Sequence, residues 1–478
     1  MPAQPPRLHF LSERDLDHIE KTSYRLLDEV GIALEHAKAT EMLHGLGCRV
    51  ENGRVYIPGQ VVEWALKNLT SGKVMHSADG NRSVVLGDGQ LRMHNGGSDP
   101  YVLDLESGKR RPATLNDVAE FARLLDALPN VDVVIPMVGP QDVPSEVMAI
   151  ASFDALVRNT RKPVSAAPAD KPEDVYYQVA IATACCGGAE AFRRAPISIA
   201  VSPVSPLRFI EKGTAAIMAI AESGAAFHSL PAPSLGATGP VTVAGALAQQ
   251  HAEVLASFVI AAATRPGTPV VYCTRINPID MRSAVSSWGG PEVGLSGACA
   301  VPLAHRLGLP CDAYGLCTSS AKVDAQFAYE RVMNAVIPAL AGADILSGVG
   351  SLDSGLVAAL DIAVIDNEIV GYIKHVLRGC EVNDDTLAFD VMREVILRDG
   401  VFLGELHTVQ HMRQGEILSP LVSERRSGTT EDPQAGVMVR ARRRALELLD
   451  GHVVEPLPDS ILQQLDGIMR EARRDLVR

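Results

Sequence analysis

The stretch "AAFHSLPAPSLGATGPVTVAGALAQQHAEVLASFVIAAATRPGTPVVYCTR" (residues 225–275) contains one complete repeat of strand, helix and strand. Apolar runs at 225–233 and 268–275 are typical of buried strands, and the helical pattern at 245–264 separates them. Two buried strands joined by a helix of this length indicate a parallel βαβ unit. A glycine-rich loop follows the first strand, where it could form a tight turn or bind an anion on its exposed N–H groups.

The same alternation continues on both sides of this unit from about Ala113. Further strands are predicted at 131–140, 162–169, 197–204, 309–317 and 343–352, and "GVFLGEL" at 400–406 is a candidate eighth strand. Helices are predicted at 148–158, 172–187, 210–223, 291–306 and 324–340. This pattern predicts an α/β fold, an eight-stranded (β/α)8 TIM barrel. A doubly wound open sheet is the alternative, but no GxGxxG follows the first strand of either half.

The rest of the chain divides into an N-terminal cap and a C-terminal tail. Residues 1–112 contain amphipathic helical patterns at 12–46 and short strands with turn signals at 73–104, which predict a helical and β-hairpin cap. The barrel is assigned to 113–420, and 421–478 is predicted to be a helical tail packed on the barrel.

Composition restricts the class of protein. The 478 residues are 47% hydrophobic and 21% charged, with a net charge of −13, which argues against nucleic acid as a partner. The start "MPAQPPRLHF" lacks a signal-peptide core, and no uninterrupted apolar run reaches the length of a membrane span, so no membrane partner is expected. Eight cysteines without a CxxC pair are typical of reduced, buried thiols. A soluble cytoplasmic protein is expected.

Candidate site residues follow from the rule that barrel enzymes work at the carboxyl ends of their strands. The ends of the predicted strands are rich in hydroxyls and combine acids with aromatic groups, but they lack the signature of a phosphate site. The residues selected from these ends are His228, Tyr272, Arg275, Asp280, Trp288, Glu292, Tyr314, Cys317, Ser320 and Asp353.

Several other chemistries lack their sequence signals. No GxSxG is present, which argues against a serine hydrolase. His407 and His411 have the i, i+4 spacing of zinc ligands, but the HExxH glutamate is missing and no nearby Cys or acid completes the set. They are read as structural histidines, and no metal is assigned. Cys317 is either a nucleophile or, since no His is near it in sequence, an inert thiol.

A set of motifs spread over the whole chain resembles the trimethylamine methyltransferase family. The matching stretches are "NGGSDPYVLDLESGKRRPATLNDVAEFARLLDALPNVD" (95–132), "SLGATGPVTVAGALAQQHAEVLA" (234–256), "NPIDMRSAVSSWGGPEVGL" (277–295), "AGADILSGVGSLDSG" (341–355), "DNEI" (366–369) and "FLGELHTVQHMR" (402–413). Their number and order carry the resemblance.

The resemblance implies an eight-stranded barrel that moves a methyl group from a methylated amine to the cobalt of a corrinoid (cobalamin) on a separate protein. Archaeal trimethylamine members of the family contain pyrrolysine, whereas this chain has ordinary residues throughout, with the corresponding region expected at Cys317 to Ser320. Members without pyrrolysine are similar to betaine methyltransferases. The expected donor is therefore a quaternary amine such as glycine betaine.

Such a reaction implies roles for the selected residues. Aromatic contacts with the cation are expected from Tyr272, Trp288, Tyr314 and also Phe227, charge attraction from Asp280, Glu292 and Asp353, and carboxylate binding from Arg275 or Arg208. Gly236, Thr238 and Gly239 would form a loop facing the corrinoid, and no acid–base residue is assigned. A homo-oligomer is expected. The alternatives are a tertiary amine such as trimethylamine as donor, a zinc-dependent methyl transfer through His407 and His411, and a non-catalytic amine-binding barrel.

Overall fold

The N-terminal region alternates short helices and short strands. The computed structural model describes residues 7–424 and 436–477. A π turn at Leu26–Val30 extends the first helix. The elements of this region are α1 (Glu13–Arg25), β1 (Ile32–Leu34), α2 (Ala37–Gly45), β2 (Arg49–Glu51), β3 (Arg54–Tyr56), α3 (Gly59–Lys67), β4 (Thr70–Ser71), β5 (Val74–His76), β6 (Ser83–Val85), β7 (Arg92–Asn95), β8 (Tyr101–Leu103) and β9 (Arg110–Pro112).

The central region contains the long helices and the buried strands. Short 3₁₀ turns occur at Ser145–Val147 and Asp353–Gly355. The other elements are α4 (Leu115–Ala127), α5 (Met148–Arg158), α6 (Pro172–Cys185), α7 (Ala189–Arg194), β10 (Ser198–Val201), β11 (Arg208–Phe209), α8 (Glu211–Ser223), β12 (Ala226–Ser229), β13 (Ser234–Leu235), α9 (Val243–Thr264), β14 (Pro269–Thr274), β15 (Asn277–Pro278), α10 (Pro291–Arg306), β16 (Cys311–Tyr314), α11 (Ala325–Ala341), β17 (Ile345–Val349), β18 (Ser351–Leu352), β19 (Val357–Ala358) and α12 (Leu360–Leu377).

The C-terminal region is helical. It contains α13 (Asp384–Leu387), α14 (Phe389–Leu397), a 3₁₀ turn at Phe402–Gly404, α15 (Leu406–Arg413), α16 (Val437–Gly451) and α17 (Asp459–Leu476). α16 packs on α12 and α4, and α17 packs on α6 and α5. The tail therefore lies on the outer helices of the central region. The part of the tail at 425–435 and the chain end lie outside the described residues.

The central sheet is parallel and curled, with the strand order β10-β12-β14-β16-β17-β7. Each strand pairs in parallel with its neighbour, for example His228 with Val271 and Asp312 with Ile345. The two edges of this sheet are linked by single parallel bridges at 94/133, 134/164 and 165/198. Six strands thus form the regular sheet, and the predicted barrel of eight regular strands is wrong in this respect.

Three strand predictions account for this difference. The segments 131–140 and 162–169 make only bridges, because their prolines provide no N–H to a ladder. The segment 400–406 is the 3₁₀ turn and the start of α15, since a short apolar run does not distinguish strand from helix. The place beside β17 is taken by β7, whose sequence RMHN has no apolar strand pattern. The predicted cap boundary at 112 therefore separates β7 from the sheet that contains it.

The helix pattern of the sequence corresponds closely to the structure. α5 and α10 have the predicted ends, and α9 begins two residues before its predicted start. Among the described helices, α9 alone is long and apolar enough to cross a bilayer, and 83% of its most apolar window is buried inside the protein. Burial of this kind is expected for a helix in the core of an α/β protein.

A buried ion pair fixes the loop that follows β17. Arg331 on α11 and Asp366 on α12 are both fully buried and pair through two hydrogen bonds. Arg331 also donates to the carbonyls of Ser351 and Gly348, and the Gly350 N–H donates to Asp366 (2.7 Å). The pair therefore joins two helices to the backbone of the loop.

We expect R331M to lower the free energy of unfolding by about 3–5 kcal/mol, because it leaves a buried carboxylate without its cation. Burial raises the pKa of Asp366, and the charge of Arg331 opposes that rise. Urea unfolding followed by circular dichroism measures the loss. The control R331M/D366N removes both charges and should recover part of the stability; a loss below about 1 kcal/mol in R331M would contradict this role.

Candidate active site

A cavity of about 320 Å³ lies inside the curled sheet. Its size lies at the lower end of the range for small-molecule sites. Its polar groups come from the strands β7, β12, β16 and β17, from the segment 162–169, and from the loops after β7, β10, β14 and β17. Its walls are otherwise largely apolar. The lining side chains used below are His94, His228, Arg275, Trp288, Asp312 and Tyr314.

Asp312 lines this cavity and is buried. One carboxylate oxygen accepts a hydrogen bond from the Arg275 guanidinium (2.7 Å) and lies 3.5 Å from His94 Nε2. The other lies 3.8 Å from His228 Nδ1 and 3.7 Å from the Cys273 sulfur. Four residues from three strands, β7, β12 and β14 with its end, therefore converge on one carboxylate.

The charge of Asp312 follows from these contacts. Burial raises the pKa of Asp312, but the positive charge of Arg275 and the contacts with the two histidines outweigh burial and hold this pKa well below its usual range. Burial lowers the pKa of Arg275 and the charge of Asp312 raises it more, so this pKa lies above its usual value. Both groups are therefore ionised, and they neutralise each other inside the cavity.

Arg275 is held in place by its own strand and the next one. Its guanidinium also donates to the carbonyls of Thr274 (2.8 Å) and Asp312 (3.0 Å). These three hydrogen bonds use part of the five-donor capacity of the group. Arg275 lines the cavity, so its remaining N–H groups could donate hydrogen bonds to a carboxylate oxygen of a ligand.

An aromatic pair lies next to this guanidinium. The Trp288 and Tyr314 rings are 4.7 Å apart between centroids at an angle of 47°, and the Arg275 guanidinium carbon lies 5.5 Å from the Tyr314 ring. The backbone N–H of Trp288 donates a hydrogen bond to the Ser354 hydroxyl (3.4 Å). This bond positions the loop that contains Trp288 against the loop after β17. The cavity therefore offers a cationic group and an aromatic surface within a few ångströms of each other.

His228 provides a second polar group in the cavity wall. Its Nε2 is buried and has no hydrogen-bond partner among the described residues. A buried polar atom without a partner is costly unless a ligand or water binds it. This atom is therefore a candidate contact for a polar group of a ligand.

Four of the ten residues selected from the sequence line the cavity: His228, Arg275, Trp288 and Tyr314. Tyr272 does not, because its side chain points into the core, where its hydroxyl lies 3.1 Å from His251 Nδ1. Phe227 is also a core residue and packs edge-to-face on Phe258.

The charged residues selected for attraction lie outside the cavity. Asp280 is exposed and accepts from the Arg282 N–H (2.8 Å), and Asp353 pairs with Arg110 (3.3 Å). Glu292 is in the first turn of α10. Arg208 is exposed and pairs with Glu35 (3.4 Å). Three of these four side chains therefore have partners elsewhere.

Cys317 and Ser320 are buried beside the cavity without lining it. Ser320 donates to the Lys322 carbonyl (2.8 Å), which stabilises the loop after β16. Burial raises the pKa of the Cys317 thiol. The thiol is therefore protonated at neutral pH, which favours the interpretation of Cys317 as an inert thiol.

The glycine-rich loop forms a tight turn above the cavity, and its neighbour Ala232 lines the wall. Gly236 has a φ of +85°, and a Cβ there would lie 3.1 Å from the Met281 sulfur. The Thr238 hydroxyl accepts from the Ser234 N–H (2.9 Å), and the Thr238 carbonyl accepts from Gln249 (2.8 Å). Gly239 donates to the Ser234 carbonyl (3.0 Å). The glycines therefore build a fixed turn.

Two residues that line the cavity, Asp312 and His94, were not selected from the sequence. Asp312 lies in the middle of β16, and attention to strand ends passed over it, although an acid inside a buried strand is itself a signal of a paired or functional group. His94 lies within the short strands at 73–104 that the sequence assigns to the cap, whereas the structure places β7 in the central sheet. Asn95 fixes the same strand end by donating to the Ile135 carbonyl (2.9 Å).

Within residues 7–424 and 436–477, two groups of side chains have the spacing of metal ligands. His228, Cys273 and Asp312 form one, but Asp312 is already neutralised by Arg275, and burial raises the pKa of the Cys273 thiol, which disfavours the thiolate. His407 and His411 form the other with Asp385, whose carboxylate lies 3.4 Å from His411 Nε2. The sequence-based statement that no acid completes this set is therefore wrong, because Asp385 comes from the separate helix α13.

Comparison with known proteins identifies the family of the chain. A profile of the trimethylamine methyltransferase family matches residues 2–476. The chain belongs to the trimethylamine methyltransferase family. It is similar to a glycine betaine methyltransferase of Desulfitobacterium hafniense strain Y51, with 30% identity over 98% of each chain. It is also similar to the trimethylamine methyltransferase MttB of D. hafniense strain DCB-2, with 30% identity over 96% of this chain and 93% of the relative.

Relatives from archaea are less similar. A trimethylamine methyltransferase of Methanosarcina mazei is 28% identical over 98% of this chain and 95% of the relative. Among solved structures, the monomethylamine methyltransferase MtmB of Methanosarcina barkeri covers 97% of this chain and 94% of its own, with 14% identity and a TM-score of 0.47. The sequence-based assignment to the trimethylamine methyltransferase family is thus confirmed over the whole chain.

We expect Cys380 to be alkylated rapidly and Cys317 to be unreactive in this protein in its native state. Cys380 is exposed and Cys317 is buried with a raised thiol pKa, and only the thiolate reacts. Iodoacetamide treatment at pH 8 followed by peptide mass spectrometry measures both sites. C380S is the matched control; alkylation of Cys317 in the native protein at the rate of a free thiol would make it a candidate nucleophile.

Proposed function

We propose that this protein transfers a methyl group from a carboxylate-bearing quaternary amine, such as glycine betaine, to the Co(I) of a corrinoid carried by a partner protein. The observation that carries the proposal is the position of the Arg275 guanidinium beside the Trp288–Tyr314 pair. A zwitterion fits these two groups, because its carboxylate would pair with the guanidinium and its trimethylammonium group would lie against the aromatic rings.

The residues have complementary roles in binding. The trimethylammonium group would lie against Trp288 and Tyr314, since aromatic faces attract cations. The carboxylate would accept hydrogen bonds from Arg275, and His228 Nε2 could provide another contact. Asp312 does not touch the substrate in this arrangement, because its role is to hold Arg275 in position.

The order of these groups along the cavity suits methyl transfer. Arg275 directly follows β14, whereas Trp288 lies further along the loop that leads away from the strand end. A carboxylate at Arg275 therefore leaves the methyl groups on the side of the mouth, where a partner has access. Correct orientation of the two reacting groups can supply a large part of a rate enhancement.

The leaving group explains why no acid–base residue is required. The reduced corrinoid supplies a cobalt nucleophile: its electron pair forms the new bond to the methyl carbon while the carbon–nitrogen pair stays on nitrogen. A quaternary amine thereby leaves as a neutral tertiary amine, and no proton moves. The protein has to bind, orient and exclude water, which the largely apolar walls of the cavity allow.

A tertiary amine such as trimethylamine is the alternative donor. The betaine and trimethylamine relatives of D. hafniense are equally identical to this chain, at 30% each. Trimethylamine has no carboxylate and would leave the free donors of Arg275 without a ligand partner. The cavity therefore favours the betaine.

The mouth of the cavity supports docking of a partner that carries the corrinoid. Exposed apolar side chains occur on the loops after four of the sheet strands, next to the Gly236 turn and across the opening, and exposed apolar patches are typical of protein contacts. They are Val204, Val241, Met281, Val285 and Leu356. We propose that this surface and the turn with Gly236, Thr238 and Gly239 contact the partner. A cytoplasmic location is part of the proposal, since all eight thiols are free.

The proposal predicts methylation of cob(I)alamin with glycine betaine and a much lower rate with trimethylamine. Purified protein, chemically reduced cobalamin and a panel of glycine betaine, carnitine, proline betaine and trimethylamine are mixed, and methylcobalamin is followed by absorbance. The cognate corrinoid protein replaces free cobalamin in a second series. Faster transfer from trimethylamine in both series would contradict the betaine assignment, and no transfer from any donor in either would contradict the reaction.

R275M should separate the carboxylate contact from the cation contact. Loss of a charge-assisted hydrogen bond costs about 1.5–3 kcal/mol, so we expect glycine betaine to bind about 10–100-fold more weakly by calorimetry. Tetramethylammonium has no carboxylate and should bind at least as well, because Asp312 becomes an unpaired anion. R275M/D312N removes both charges and controls for that anion; an equal loss for both ligands in R275M would assign Arg275 a structural role.

A further inference from the structure

Residues 381–421, here named the arm, have almost no buried side chain. The arm contains α13, α14, the 3₁₀ turn at Phe402–Gly404 and α15. Within these described residues Val395 alone is buried. The arm begins just after α12 and returns to that helix, where the Leu421 N–H donates to Glu368 (2.6 Å).

The exposed side chains of the arm are largely apolar. Of the 34 large hydrophobic side chains that are exposed in the described protein, fourteen belong to the arm, and ten of these are more than half exposed. They are Val382, Leu387, Phe389, Met392, Ile396, Leu397, Val401, Phe402, Leu403, Leu406, Val409, Met412, Ile417 and Leu421. Exposed apolar surface of more than a few hundred Å² is typical of interaction sites.

The helices of the arm are too short to be stable without packing. α13 has four residues, α14 nine and α15 eight, whereas isolated helices shorter than about 12–15 residues are marginal in water. Packing on the rest of the same chain provides one buried residue, Val395. The stability of the arm therefore requires a second surface.

We propose that this second surface is the arm of another copy of the chain, so that the arm forms the interface of a homodimer. A partner for such an apolar surface must itself be apolar, and the arm meets this requirement when it packs against its own two-fold copy. The fourteen side chains offer roughly 700–900 Å² of apolar surface, from about 100 Å² for a fully exposed side chain. A standard interface buries about 800 Å² per partner.

The position of the arm argues against the corrinoid-bearing protein as its occupant. Leu377 at the end of α12 lies in one surface depression with Leu91 and Asp344, which precede β7 and β17. The arm therefore starts at the amino ends of the parallel strands, and the cavity opens at their carboxyl ends. A partner that must come and go at the mouth has no use for a permanent apolar contact at the other end.

Sedimentation velocity of the full chain tests the proposal without any use of activity. We expect the wild-type protein to sediment with twice the 50.9 kDa mass of the chain at micromolar concentration. L403E/L406E places charges at two side chains that are 81% and 70% exposed, so it should leave the fold intact and halve the mass. The matched control V453E alters a side chain that is 82% exposed outside the arm and should remain dimeric.

Hydrogen exchange of the arm provides the second readout. We expect slow exchange of the α14 and α15 amides in the wild-type protein and loss of that protection in L403E/L406E, with unchanged exchange in the central strands. A monomeric wild-type protein would overturn the proposal, and so would a variant that keeps both the dimer mass and the protection of the arm.

Discussion

The ion pair between Asp312 and Arg275 is the interaction on which the site depends. Two charges inside a protein are costly to remove from water, and they are tolerated only when their geometry and hydrogen bonds compensate. Here the guanidinium also binds two backbone carbonyls, and the carboxylate contacts side chains from β7 and β12. The pair thus ties the centre of the sheet together and fixes one cation at a defined place in an otherwise largely apolar cavity.

A second buried pair performs the corresponding task for the loops above the cavity. Arg331 and Asp366 hold the backbone at Gly348, Gly350 and Ser351, and the same loop continues to Ser354 beside the Trp288 backbone. The aromatic pair is therefore placed by one network and the guanidinium by the other. Removal of one partner in either network leaves a buried charge, which is why we expect these positions to be far less tolerant than the rim.

The sequence predicts the helices and the βαβ alternation well because long helices have a strong periodic signal. α5 and α10 end where the pattern predicts. The sheet is predicted less well, since β7 has a polar sequence and takes its place only by pairing with β17, a contact between distant parts of the chain. Proline-containing segments with an apolar pattern, such as 162–169, make single bridges in place of strands.

The residues of the candidate site were likewise predicted only in part from the sequence. Residues near the carboxyl end of a buried strand, such as His228 in β12 and Arg275 just after β14, could be selected from the sequence because strand ends define the mouth. Asp280 and Asp353 follow strands too, but local hydrogen bonds and an ion pair hold them outside the cavity, which no pattern reveals. Asp312 was missed since its importance arises from three partners that are distant in sequence.

A crystal structure of the protein soaked with glycine betaine would show directly whether this ligand binds between Arg275 and the Trp288–Tyr314 pair. We expect density for the ligand in the cavity, with the trimethylammonium group against Trp288 and Tyr314, the carboxylate on Arg275, and a methyl group directed to the mouth. A ligand bound with its carboxylate away from Arg275, or outside the cavity altogether, would contradict this arrangement.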